Sequence, residues 1–214
     1  MHKLDRPIAP TCLSNYRHGQ HNWDDVSPAD KSQIWQQLVV MQQNYCAYCE
    51  CEIVDGRKHI EHFRQKSSGR YPQGTFRWDN LFGSCNENDS CGKHKDNCGI
   101  YNHQDLIKMD VEDPDAFFLF VEDGSISFLP GLSAAKQHRA EETLRIFNLD
   151  EKYGRLRHMR QSAVLGYKKT VEEFLEMAQH FDDADWRPIL NNELNRIRMD
   201  EPFSTAIIHL FVMR

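Results

Sequence analysis

Cys46-Ala47-Tyr48-Cys49 opens a run of forty-nine residues that continues through His59-Ile60-Glu61-His62 and Trp78-Asp79-Asn80-Leu81 and closes on Cys85, Cys91 and His94. Two pairs of thiols frame a carboxylate–histidine doublet, an asparagine and a second histidine. Thiolates suit a soft structural ion such as Zn²⁺, whereas carboxylate with imidazole suits a harder, catalytic one. Cys46, Cys49, Cys85 and Cys91 can close a tetrahedral site with Zn–S bonds of about 2.3 Å. A hairpin as short as the one between them buries too little apolar area to fix its own geometry, so such an ion would hold it in shape. The second pair is spaced more widely than is usual, and Cys51 is an alternative ligand.

The composition places these motifs in a compact protein. The chain has 214 residues, 40% hydrophobic and 27% charged, which excludes general disorder. No apolar run approaches the ~20 residues of a membrane helix, and the first residues lack the apolar core of a signal peptide. A cytoplasmic location with no membrane partner is the expectation. Seven cysteines in that compartment argue for metal binding over disulfides; Cys12, Cys51 and Cys98 are left over as buried or inert thiols. The net charge of −6 speaks against broad coating of nucleic acid. Between Arg57 and Lys95, however, eight Lys/Arg stand against four Asp/Glu, a local +4 that leaves −10 for the remainder. A basic patch there suits a polyanion.

Outward from the motifs, Ser27-Pro28-Ala29-Asp30 signals a capped helix over residues 28–44 that delivers the chain to Cys46. Residues 58–64 predict a strand, and 76–82 a second strand turning into a helix. Residues 86–100 are polar and give no clear periodicity. Phe117 to Leu129 reads as a β-hairpin turning at Asp123-Gly124. Helices are expected over 133–147, from an Asp150 cap to about Gln179, from near Asp185, and after Pro202. The fold class is therefore α+β. Residues 1–110 form a metal-built core with its N-terminal helix, and residues 111–214 a hairpin and helical region.

His59-Ile60-Glu61-His62 carries the chemistry. Alternation on a strand sends Glu61 and His62 to opposite sides, and a twist at the strand end can still bring both near one phosphate. Glu61 would ligate a hard divalent ion, and His62 would take a proton from water as general base, a role worth roughly 10²–10⁴ in rate. Asn80 can donate and accept, so it can pin the loop that carries His62. His94 is the candidate for the second ligand of that ion, with Asn86 its rival. Arg64, Lys66, Lys93 and Lys95 are the candidate phosphate contacts. The bland alternative is a surface His–Glu cluster, or His59 and His62 completing a zinc site.

Together with Phe63-Arg64-Gln65-Lys66-Ser67, Cys91-Gly92-Lys93-His94-Lys95 and Thr143-Leu144-Arg145-Ile146-Phe147-Asn148-Leu149, these motifs resemble an HNH, or ββα-metal, endonuclease. More narrowly they resemble the PtuB-type HNH proteins of bacterial anti-phage systems, both Septu and retron-associated. The resemblance implies a zinc-stabilised core and a second ion, Mg²⁺ or Mn²⁺. Glu61 and His94 would be its ligands, His62 the base and Asn80 the positioning residue. It implies DNA as the substrate, with RNA the other candidate. A PtuA-type ATPase would be the partner, within a reverse transcriptase–RNA/DNA assembly if the system is a retron. Three departures stand out: Glu61 where many such sites have Asp, Gln65 where they have Pro, and Cys85-x₅-Cys91-Gly92 where they have Cys-x₂-Cys followed by Asn or His. Two rival classes are a non-catalytic zinc module that binds nucleic acid or protein, and a regulatory subunit whose site is dormant without its partner. The helical half, whose last segment Phe203 to Met213 holds more apolar residues than one buried face needs, is expected to dock the ATPase.

Overall fold

The computed structural model describes residues 1–212. After two short 3-10 turns, Thr11–Asn15 and Trp23–Asp25, the first α-helix is α1, Pro28–Gln42, whose N-cap Ser27 accepts a hydrogen bond from the Asp30 amide. The chain then turns through the cysteine knuckle into β1, Lys58–His62, which pairs antiparallel with β2, Leu81–Cys85. Helix α2, Cys91–Asn97, follows. The polar stretch that gives no clear periodicity is thus helical at its centre, because Cys91, Gly92 and Lys95 form a buried inner face. The second strand begins at Leu81, later in the chain than the sequence pattern suggests.

Two side chains lock this hairpin to its surroundings. Gln42 accepts from the Gly83 amide and donates to the Gly83 carbonyl, so the last turn of α1 holds β2 through both backbone groups. Arg6 donates to the carbonyls of Trp78 and Leu81 and pairs with Asp110, binding the lead-in segment across the start of β2. Beneath the hairpin, Tyr48 stacks on Phe147 with ring centroids 4.2 Å apart, and Phe63 and Phe82 complete the cluster.

The second hairpin is β3, Phe118–Phe120, with β4, Ile126–Phe128. Its turn needs Gly124, which has φ +82° and would carry any Cβ to 2.1 Å from the Arg157 carbonyl oxygen. Helix α3, Ala134–Phe147, is capped by Ser133. A single helix from Asp150 to about Gln179 does not form. Helix α4, Arg155–Gly166, and α5, Lys168–His180, meet at Tyr167, whose backbone (φ −102°, ψ −1°) turns the chain. Gly154 is the N-cap of α4. Asp150 instead accepts from the Ile126 amide and the buried Arg160, tying the hairpin to α4.

Helix α6, Asp183–Asp200, leads to α7, Ser204–Val212. The expectation of an exposed apolar remainder at this end holds only for its last turn, where Val212 is exposed and Phe211 half-buried. Residues Ser204 to Leu210 are all buried, because β3, α4, α5 and α6 surround the helix. His209 accepts from the Phe120 amide, and Glu50 of the knuckle accepts from the amide and hydroxyl of Thr205. Met213, part of that expectation, lies outside the described residues. One apolar core runs from Leu4 through the hairpin and α3 to Leu210, so it includes residues from both parts of the chain. No helix among the described residues is long and apolar enough to cross a membrane.

Candidate metal centre and cleft

The knuckle forms because Cys46 and Cys51 share a backbone hydrogen bond, Glu50 closes back on Cys46 with φ +63°, and the Ala47 amide reaches the Gly83 carbonyl. These bonds aim Cys46 and Cys49 at the end of β2. Cys85 is its last residue, and Cys91 starts α2. The four buried thiols have sulfurs within 4.8 Å of one another. A Zn²⁺ tetrahedron with ~2.3 Å bonds has edges of roughly 3.8 Å, and Cys49 Sγ and Cys85 Sγ are 3.9 Å apart. The set can hold a zinc ion. Cys51 Sγ lies 3.3 Å from Cys49 Sγ, a fifth sulfur against the cluster.

Strand alternation divides the doublet. His59 and Glu61 face α2, with His59 Nε2 3.1 Å from Glu61 Oε2. Glu61 is 2% exposed, and Lys95 Nζ stands 2.8 Å from its Oε1. Burial opposes ionisation of Glu61, but the Lys95 charge and the His59 hydrogen bond outweigh it and hold the carboxyl below its usual range. Lys95 is the reverse case: burial would lower it, and Glu61 keeps it above its ordinary value.

His62 faces the other way. Its Nε2 is 3.0 Å from the Thr75 carbonyl oxygen, and its ring meets Trp23 edge-on at 4.6 Å. A carbonyl only accepts, so Nε2 carries the proton and Nδ1 is left as the acceptor. Burial, with the nearby Lys66 charge, pushes the ring down to about 3, so it is neutral at ordinary pH. His62 lies at the wall of an open cleft of ≈ 980 Å³ shared with Trp23, Lys66, Thr75 and Asp96. Asp96 also accepts from Lys95 at 2.7 Å, so this one ion-paired link joins the Glu61 face to the His62 cleft.

Asn80 sits 3% exposed behind the cleft. Its Oδ1 accepts from the Arg64 amide at 2.8 Å, and its Nδ2 donates to the carbonyls of Arg64 and Gly74 at 3.0 and 3.1 Å. The residue clamps both ends of the loop between His62 and Thr75.

Two expected site residues are placed elsewhere. His94 Nδ1 is 3.0 Å from the Ile146 carbonyl oxygen and 3.1 Å from Cys98 Sγ, so the ring docks α2 on α3 and does not meet Glu61. Lys95 is 0% exposed and occupied by Glu61 and Asp96, so it is an internal counter-ion and not a phosphate contact. Its position four residues after the buried Cys91, on one helix face, was the available signal. Arg64 lies 3.5 Å over the Tyr71 ring, Lys66 is exposed at the cleft, and Lys93 is half-buried on α2. Asn86 continues the first hairpin through its amide to the Arg57 carbonyl. Thr75 and Trp23 were missed, and His59 was weighed only in a surface His–Glu cluster or as a zinc ligand with His62; strand alternation alone would have paired it with Glu61.

The fold and site define an α+β protein with a buried four-thiol cluster bracing a hairpin-and-helix unit that presents a carboxylate–imidazole pair. No family model matches the chain. It is similar to the Septu protein PtuB of Bacillus thuringiensis, at 28% identity over 193 residues covering 84% of this chain. The match spans 66% of that relative's length.

Proposed function

We propose that this chain is a metal-dependent HNH-type endonuclease that hydrolyses phosphodiester bonds in nucleic acid, DNA in the first place, as the effector of a Septu-like anti-phage complex. The observation that carries the reading is His62: a neutral imidazole, its Nε2–H committed to Thr75, its Nδ1 left as acceptor at the wall of an open cleft beside Lys66. A hard divalent ion held at Glu61 would neutralise charge on the scissile phosphate and its leaving oxygen. His62 Nδ1 takes the proton of the attacking water. A ring at about 3 is a weak base in the unliganded cleft; a bound phosphate beside it raises its proton affinity, because a nearby anion favours the imidazolium. Trp23 and Thr75 keep the ring from turning. Lys66, with Arg64 and Lys93, would hold the backbone phosphates.

Similarity to a Septu protein supports the defence role, and with it a PtuA-type ATPase as partner. Since α7 is enclosed as far as Leu210, the dock for that partner moves to α5, α6 and the turn between them, which expose Leu175, Ile189, Met199 and Phe181. The test is cleavage of plasmid DNA with Mg²⁺ or Mn²⁺, by the protein alone and with its ATPase. His62→Ala should abolish cleavage with the zinc content unchanged. Cleavage by His62→Ala at the parent rate would refute the mechanism.

A further inference from the structure

The nuclease reading leaves the second protein ligand of the Glu61 ion open, since His94 is turned to Ile146. We propose that His59 is that ligand, and that Gly92 is the residue that leaves room for it. The inference rests on the proposed function only for the ion's purpose; the site itself is argued from geometry.

His59 and Glu61 are two apart on β1 and share the face toward α2. Their nearest donor atoms, Nε2 and Oε2, are 3.1 Å apart. Two donors at that separation, each ~2.1 Å from one ion, subtend roughly 95° at it, the angle of adjacent ligands in octahedral coordination. The carboxylate is nearly fully buried, and its Oε1 has no hydrogen bond although Lys95 stands at ion-pair distance. The second nitrogen of His59 is buried without a partner among the described residues. With Lys95 on Oε1, Oε2 remains for an ion. His59 is 23% exposed, so the pair is reached from solvent.

Gly92 explains why the pair survives packing against α2. A Cβ at residue 92 would lie 2.4 Å from Glu61 Oε2 and 2.8 Å from His59 Nε2, inside contact distance of both donors. Any other residue would have to push one of them aside. The site thus takes one ligand from β1 where a side chain on α2 would otherwise supply it, and glycine at 92 and histidine at 59 belong together.

A donor set of one carboxylate and one imidazole takes a first-row transition ion more tightly than Mg²⁺, because imidazole is a softer ligand than water or carboxylate. Mn²⁺ is therefore the probe. Full-length, zinc-loaded protein would be titrated with Mn²⁺ and free ion followed by electron paramagnetic resonance. The parent should bind one Mn²⁺ per chain, more tightly than it binds Mg²⁺ in competition. His59→Ala, His59→Gln and Gly92→Ala should each weaken binding tenfold or more with zinc content and circular dichroism unchanged, while His94→Gln, which removes the imidazole but keeps a donor for the Ile146 carbonyl that docks α2, should stay within twofold of the parent. Parent-like affinity in both His59 variants, or loss of affinity in a His94→Gln protein whose fold and zinc content are unchanged, overturns the assignment, as does a parent that binds no Mn²⁺. The two readings fail separately. Binding that depends on His59 without cleavage of nucleic acid would remove the nuclease reading and keep the site. Cleavage by the parent with His59→Ala binding unimpaired would do the opposite.

Discussion

Asn80→Ala should both destabilise the protein and slow cleavage, and the structure allows the size of the first effect to be worked out. The side chain is 3% exposed and makes three hydrogen bonds, one accepted from Arg64 and two donated to Arg64 and Gly74. Each is worth about 1 kcal/mol net, and leaving the partners unsatisfied adds to the loss, so the total is roughly 3 kcal/mol or more. For a chain of this length that corresponds to a fall in Tm of roughly 6–12 °C. Cleavage should fall further than stability accounts for. Gly74, held by Asn80, precedes Thr75, whose carbonyl orients His62, so releasing one frees the other. Asn80→Asp is the sharper variant: it keeps an acceptor for the Arg64 amide but sets a carboxylate against two carbonyl oxygens, and should cost at least as much. Differential scanning fluorimetry on zinc-loaded protein reads the stability, and a plasmid-nicking assay well below Tm reads the chemistry. A Tm for Asn80→Ala within about 2 °C of the parent would refute the clamp, since three buried bonds cannot vanish at so small a cost.

Zinc should remain at one ion per chain through dialysis, and a strong chelator should unfold the protein, because folding and binding at a four-thiolate site are one equilibrium. Cys49→Ser or Cys91→Ser should give insoluble protein, whereas Cys12→Ser, outside the cluster, should fold with the parent's zinc content as read by elemental analysis. A chain ending before Pro202 should fail to fold, since it removes α7 from the middle of four packed elements; recovery of a cooperatively melting truncated protein would show that α7 is an appendage after all.

Much of this architecture is legible in the chain. Ser27-Pro28 starts a helix because the hydroxyl caps a free amide and proline needs none, a local matter that no distant residue alters. Ser133 does the same for α3, and Gly124 marks the turn between β3 and β4 for the reason that only glycine fits there. The four thiols announce their cluster by chemistry, since two pairs of cysteines are the soft donors a zinc ion takes. Where a longer view was needed, local signals misled. Asp150 has the look of a cap but is claimed by Ile126 and Arg160. The apolar run of α7 has the look of an exposed surface but is buried from Ser204 to Leu210.

The sequence by itself determined the ligand chemistry of the metal cluster, the α+β class, the candidate base and the asparagine behind it, because each depends on residue type and short spacing. The direction in which side chains leave α2 was decided only by tertiary structure. That helix is short and polar, and the one signal of its inner face, Lys95 four residues after Cys91, counts only once the segment is known to be helical. It takes its orientation from Cys91 at the cluster and from His94 on the Ile146 carbonyl. Once so fixed, it carries Lys95 inward to Glu61, turns His94 away, and brings the bare backbone of Gly92 against His59. That His59 stands beside the carboxylate follows from alternation along one strand, whereas the turning away of His94 is set by packing between α2 and α3, some fifty residues apart, and no pattern along the chain encodes it.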